Sequence, residues 1–289
     1  MSLGALALVL FGALCHATWN IVAKKSGGGL PFVWLFGMVS VIAAIPVAAW
    51  AWLTHPQQFD TLMWAAALGS GLIHVLYSLI LQQGYRVADF AVVYPVARGS
   101  GPMLTVLLSV LLLGERPSLL GTAAIAAILA GVFISAGGTG LFSGNTSSRR
   151  HLGVSWGLLT GLFIAAYTLL DGWAIRSLGM TPILFYAVGL AFRSLLLAPF
   201  ALRQPARLAE QWRLHRRAIL IVGILSPLAY LLVLFALQLA PLSYVAPVRE
   251  ISMLLGTFVG ARRLQEALKP SQYVGAIVML LGVLGLGYA

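Results

Sequence analysis

Charge is what this sequence has least of. Asp, Glu, Lys and Arg make up 9% of its 289 residues, where a soluble domain carries about 25%. So few charges cannot clothe a soluble surface, which excludes a soluble enzyme and a disordered chain. Cysteine is reduced to Cys15 alone, which excludes an internal disulfide, a secreted disulfide scaffold and a cysteine-based metal cluster. The sequence also has no phosphate-binding loop of the Walker type, no His-Glu-x-x-His helix and no Gly-x-Ser-x-Gly elbow. Arg98-Gly99-Ser100-Gly101 has no His or carboxylate spaced to serve as its base. The sequence therefore offers no catalytic residue, no metal and no cofactor, and any transport draws on an ion or substrate gradient rather than on ATP. A basic region ahead of the first apolar run is missing too, and Leu14 is too bulky before Cys15 for a lipoprotein cleavage box. The first segment reads as a retained membrane helix rather than a signal peptide.

What the sequence has instead is apolar bulk: 60% hydrophobic residues and a mean hydropathy of +0.96. A chain of this kind takes lipid as its solvent. The net charge of +11 would suit nucleic acid, but no basic domain gathers it, and the expected partners are the bilayer and a small molecule, not nucleic acid. Ten segments are long enough to cross a membrane. They run from Leu3 to Ala23, Phe32 to Leu53, Leu62 to Leu81, Val87 to Leu113 and Leu119 to Ala136, then from Val154 to Ile175, Ile183 to Leu202, Ala218 to Leu239, Ser243 to Gly260 and Tyr273 to Tyr288. The connections are short, the longest being Gly137 to Gly153 and Arg203 to Arg217, so any chemistry sits among the helices.

Thirteen Lys and Arg fall in the odd-numbered loops and two, Arg116 and Arg176, in the even ones. This asymmetry places the odd loops in the cytoplasm and both termini outside. The sequence also repeats weakly at an offset of 151: Asn20 falls on Asp171, Lys25 on Arg176, Gly28 on Gly179, Pro31 on Pro182, Arg98 on Arg249, Glu115 on Glu266 and Gly131 on Gly282. Residues 1–138 form one five-span repeat, 139–152 a connection and 153–289 the second repeat. Because five is odd, the second repeat enters the membrane from the opposite side, and the two are inverted copies. The expected fold is an all-α membrane protein of ten transmembrane helices.

Cys15-His16-Ala17-Thr18-Trp19-Asn20 in the first span and Leu112-Leu113-Gly114-Glu115-Arg116 after the fourth, with Ala240-Pro241-Leu242-Ser243, Glu266, Gly275 and Gly282 in the second half, resemble the drug/metabolite transporter superfamily, in its ten-helix EamA type. The resemblance implies a helical carrier of small metabolites with a central cavity. Members are described with both termini cytoplasmic, the opposite of what the loop charges here favour.

Five charged residues fall inside spans: Arg98, Asp171, Arg193, Arg249 and Glu250. Each costs about 2.5–3.5 kcal/mol at mid-bilayer and normally faces a cavity or a partner. Arg98, with Tyr94 one turn before it and Pro95 loosening the helix, suits a carboxylate or phosphate, or an ion pair with Asp171 or Glu250. Arg249 and Glu250 hold the matching region after Pro247, and Arg249 is a second candidate, beside Arg98, to hold a negative group of the substrate. Glu250 is a candidate proton carrier or a lock between repeats, and Asp171 is a second proton carrier. His16 and Asn20, and Tyr167 and Asp171, form matching polar pairs one turn apart, with Trp19 as an aromatic wall. His74 and Tyr77 add to the proposed lining. Arg193 has a stem long enough to snorkel and is left out, and Glu115 and Glu266 read as surface partners of Arg116 and Arg262. Gly282, Gly285 and Gly287 offer a small-residue face for internal packing or for a homodimer.

The expected function is secondary active transport of a small polar metabolite, such as an amino acid or organic anion, by alternating access with proton coupling, in a bacterial inner membrane. The alternatives are a polytopic membrane enzyme or a flippase acting on a lipid-linked substrate. An enzyme would cluster its polar groups near one interface, whereas a carrier would spread them around a central axis.

Overall fold

A computed structural model describes residues 1–24, 26, 29–138, 148–264 and 270–289. Lys25, Gly28, Glu266 and the residues from 139 to 147 of the expected connection lie outside them. The first repeat is α1 (Leu3–Lys24), α2 (Leu30–Thr54), α3 (Thr61–Val87), α4 (Phe90–Leu113) and α5 (Leu119–Ser135). The second is α6 (Ser148–Arg176), α7 (Pro182–Leu202), α8 (Pro205–Leu239), α9 (Leu242–Val248), α10 (Ile251–Leu264) and α11 (Pro270–Tyr288). Eight of these helices are long and apolar enough to cross a membrane. The 17-residue α5 makes a shorter crossing, and α9 with α10 makes a broken one, giving the ten expected.

The breaks and ends have local causes. Asp60 caps α3 by accepting a hydrogen bond from the Met63 N–H, and Ser118 caps α5 through Gly121. Gly114 ends α4 in the left-handed conformation at φ 67°. The ninth span was expected as one helix, but it is interrupted at Arg249 and Glu250. Pro247 supplies no N–H there, and the Glu250 N–H reaches back only to Pro247 O while the Met253 N–H reaches Glu250 O. The expected loop from Arg203 to Arg217 is instead helical from Pro205, with one non-helical residue at His215 (φ −124°). Proline at the helix start followed by Ala, Leu, Arg, Glu and Gln is strong helix-forming sequence; only its charge hid it from a reading based on apolar runs.

The repeats do not form separate lobes. Helix α1 packs on α8 and α10, α3 packs on α6 and α7, α4 packs on α6 and α9, α2 packs on α7 and α8, and α5 lies along α11. Exchanging repeats (α1 with α6, α2 with α7, α3 with α8, α5 with α11) turns this set largely into itself, as a two-fold axis requires. The α5–α11 seam shows it residue by residue. A Cβ on Gly131 would meet Gly275 O at 2.6 Å and Met279, and one on Gly282 would meet Ala124 O at 2.7 Å and Ile128. At offset 151 these are the same contact made twice. Gly282, offered above as a face for internal packing or a dimer, is thus used inside the subunit. A further stripe, Gly153, Gly157 and Gly161 on α6, seats Val92, Val96 and Ser100 of α4; without a hydrophobic effect between lipid-bathed helices, such close backbone approach supplies their attraction. Leu111, Leu112 and Leu119 point outward, where lipid covers them.

Candidate functional site

Two polar clusters meet at the centre of the bundle, one built on α4 and the helix break, the other on α3, α6, α7 and α8. In the first, Arg98 Nε lies 2.9 Å from Glu250 Oε2, and Arg98 Nη2 donates to Ser252 Oγ at 3.0 Å. Glu250 is 4% exposed. Of the two roles open to Arg98 in the sequence, the ion pair is the one formed, with Glu250 rather than Asp171. It ties the first repeat to the second. Removing one partner of such a buried pair typically costs about 3–5 kcal/mol, because the other charge is left uncompensated.

The second cluster centres on Asp171, which is fully buried. Tyr230 OH donates to its Oδ2, and the Ser70 side chain also hydrogen-bonds the carboxylate. The Arg249 guanidinium stands over the Tyr230 ring, 5.5 Å from its centroid. Tyr186 packs against Tyr230 at 5.4 Å and carries Arg193 over its own face at 5.6 Å, with Arg193 Nη2 3.4 Å from Tyr186 OH. On the other side, His74 stacks on Tyr167 at 4.1 Å and 28° and meets Tyr230 edge-on, while Tyr77 meets Tyr167 at 5.6 Å. His74 is fixed in turn by Ser70, whose carbonyl lies 2.9 Å from Nδ1.

The structure therefore brings together His74, Tyr77, Tyr167, Asp171 and Arg249 in one cluster, and Arg98 and Glu250 in the one adjoining it. Tyr94 sits half-buried one turn before Arg98. His16 meets Trp19 edge-on at 5.0 Å, and Trp19 packs into an apolar cluster with Phe32, Ile219 and Val222. Asn20 is exposed, its amide donating back to His16 O at 2.8 Å. Arg193, set aside in the sequence as a snorkelling residue, belongs to the second cluster: its guanidinium turns along α7 to Tyr186. That spacing of seven residues, two helical turns on one face, was readable. Tyr230 carried no such signal, because its partner Asp171 lies on another helix.

Glu115 also departs from expectation. It does not act as a surface partner of Arg116. Its Oε1 accepts from the Leu242 N–H at 2.7 Å and its Oε2 from the Ser243 N–H at 2.8 Å. A carboxylate from the first repeat thus caps the short helix α9 of the second, where free N–H groups and the helix dipole favour negative charge. Beside it, the Ser118 N–H donates to Tyr244 OH. Gln57 makes a parallel link on the same membrane face, donating to Gly179 O and accepting from the Thr181 N–H. Glu266 lies outside the described residues. Among the described residues no group of three or more His, Cys, Asp and Glu could hold a metal ion.

A sequence profile matches this architecture twice, over residues 3–137 and again over 151–288; it is that of the EamA-like transporter family. The chain belongs to the EamA-like transporter family. No curated protein matches it. A solved protein crystal structure is similar over 99% of this chain and 96% of its own, with a TM-score of 0.72 at 17% identity, a likeness that concerns the fold alone. In this EamA-like transporter the polar groups described here lie on α3, α4, α6, α7, α8 and the broken span.

Proposed function

We propose that this EamA-like transporter is a secondary carrier of a small polar metabolite with a negatively charged group, an organic anion or an amino acid, working by alternating access. The observation that carries the reading is the Arg98–Glu250 pair. It joins matching regions of two inverted repeats at the point where the ninth span is broken. Broken helices at the interface of inverted repeats are where such carriers hold substrate and coupling ion. The aromatic wall of His74, Tyr77, Tyr167 and Tyr230 gives a ligand an apolar bed beside the charges.

The two buried acids differ in what they can do. Glu250 has a guanidinium at 2.9 Å as its direct partner. Asp171 has a phenol and the Ser70 side chain as hydrogen-bond partners, and no cation within 4.0 Å among the described residues. We assign the coupling proton to Asp171 and the clasp between repeats to Arg98 and Glu250.

In proteoliposomes offered a metabolite mixture, the wild type accumulates its substrate under an imposed pH gradient. Arg98→Ala and Glu250→Gln each abolish uptake, whereas Asp171→Asn keeps exchange of internal for external substrate and loses accumulation. Undiminished uptake in both Arg98→Ala and Glu250→Gln would refute the site. The orientation read from the loop charges is tested apart from transport: a reporter fused after Ala289 scores extracytoplasmic, and a cytoplasmic score reverses the assignment.

A further inference from the structure

The repeats agree on their arginines and disagree on what those arginines face. Arg98 and Arg249 are equivalent at offset 151. At that same offset Glu250, which pairs with Arg98, falls on Gly99, and Ser252, which accepts from Arg98, falls on Gly101. The two-fold relation that brings Glu250 to Arg98 therefore brings a glycine towards Arg249. No carboxylate of the described residues lies within 4.0 Å of Arg249, whose guanidinium rests instead on the Tyr230 ring. The place of Ser252's equivalent is filled, since Ile164 lies 2.8 Å from a Cβ built on Gly101. The place of Glu250's equivalent is open, with nothing within 4 Å of a Cβ built on Gly99. In-span charge tells the same story: three arginines stand against two acids.

We infer that Arg249 is the anion anchor of the carrier, and that a carboxylate of the substrate takes, beside Gly99, the position that Glu250 takes beside Arg98. The inference rests on the transporter reading above and deepens it. It gives the substrate's charge to Arg249, because Arg98 is already paired with Glu250. A guanidinium on an aromatic face keeps its N–H edge free for a bidentate carboxylate. The ring on which it rests suits a ligand with a flat apolar body.

The decisive experiment supplies the missing acid. Gly99→Glu and Gly99→Gln are each made in the wild type and in Arg249→Gln, and unfolding temperatures are measured in detergent. Gly99→Glu melts above Gly99→Gln when Arg249 is present, and the difference vanishes in Arg249→Gln. Equal melting in both backgrounds overturns the placement of Arg249. Benzoate, its uncharged isostere benzamide and methylphosphonate then serve as probes. Benzoate raises the wild-type melting temperature more than benzamide does, and Gly99→Glu and Arg249→Gln each erase that excess. Stabilisation by methylphosphonate but not by benzoate, or equal effects of benzoate and benzamide, overturns the carboxylate assignment. Because these readouts need no flux, a protein that passes them yet carries nothing across a vesicle refutes the transporter reading while leaving the anchor in place.

Discussion

In a Ser243→Cys background, replacing Glu115 with alanine raises the reactivity of the thiol towards a membrane-impermeant maleimide by about a hundred- to ten-thousandfold. The estimate follows from the two backbone donors that Glu115 satisfies. A hydrogen bond to a charged group is worth about 1.5–3 kcal/mol, and each 1.4 kcal/mol is about tenfold in an equilibrium. The bonds run from the turn between α4 and α5 to the first N–H groups of α9, so losing them frees the end of α9 from the opposite repeat. Ser243 is fully buried, which makes it a sensitive reporter, and Cys15→Ala removes the background thiol. Glu115→Gln gives an intermediate rise, since its amide oxygen still accepts one bond while its NH2 opposes the other donor. Labelling that stays at the wild-type rate in Glu115→Ala would mean that the cap does not hold this face shut.

Gly131→Leu abolishes recovery of monodisperse protein, and Gly131→Ala already lowers the melting temperature. A Cβ there sits 2.6 Å from Gly275 O and 2.7 Å from Met279 N. Both are backbone atoms of α11 that cannot step aside without parting the helices. Overpacking of this kind costs about 1–3 kcal/mol even where side chains can adjust. Gly4→Leu is the control, because nothing lies within 4 Å of its Cβ. Size-exclusion chromatography of the three variants checks the prediction, and normal recovery of Gly131→Leu would show that the seam is looser than its geometry.

The ten crossings were legible because lipid imposes a length and an apolar composition on every span, and the odd number of spans per repeat dictated inversion. Pro247 marked the weak point of the ninth span without showing that the helix would stop there. The long start of α8 was hidden because its arginines fail a test built on apolarity, although their helix propensity is high. Arg98, Asp171, Arg249 and Glu250 stood out because charge inside a span is rare. Their pairing was not legible: Arg98 had two acids to choose from, and only the folded chain brings Glu250 to it. Glu115 was misassigned for a related reason. Its partners are backbone N–H groups 127 and 128 residues away, and a backbone donor leaves no mark in a sequence. Asn20 matched Asp171 by position, yet in the fold its amide turns back on its own helix.

The mirrored contact of Gly131 and Gly282 has a mechanical corollary. When two inverted halves trade conformations, a junction that the symmetry axis maps onto itself has the same shape before and after. The line along which α5 lies on α11 is such a junction, and so it can serve as a fulcrum. Movement must then concentrate where the axis maps one junction onto a different one, as it maps α4 against α6 onto the broken span against α1. In that scheme the glycines at 131 and 282 keep the pivot thin, so the arms swing without the bearing being rebuilt at each turnover.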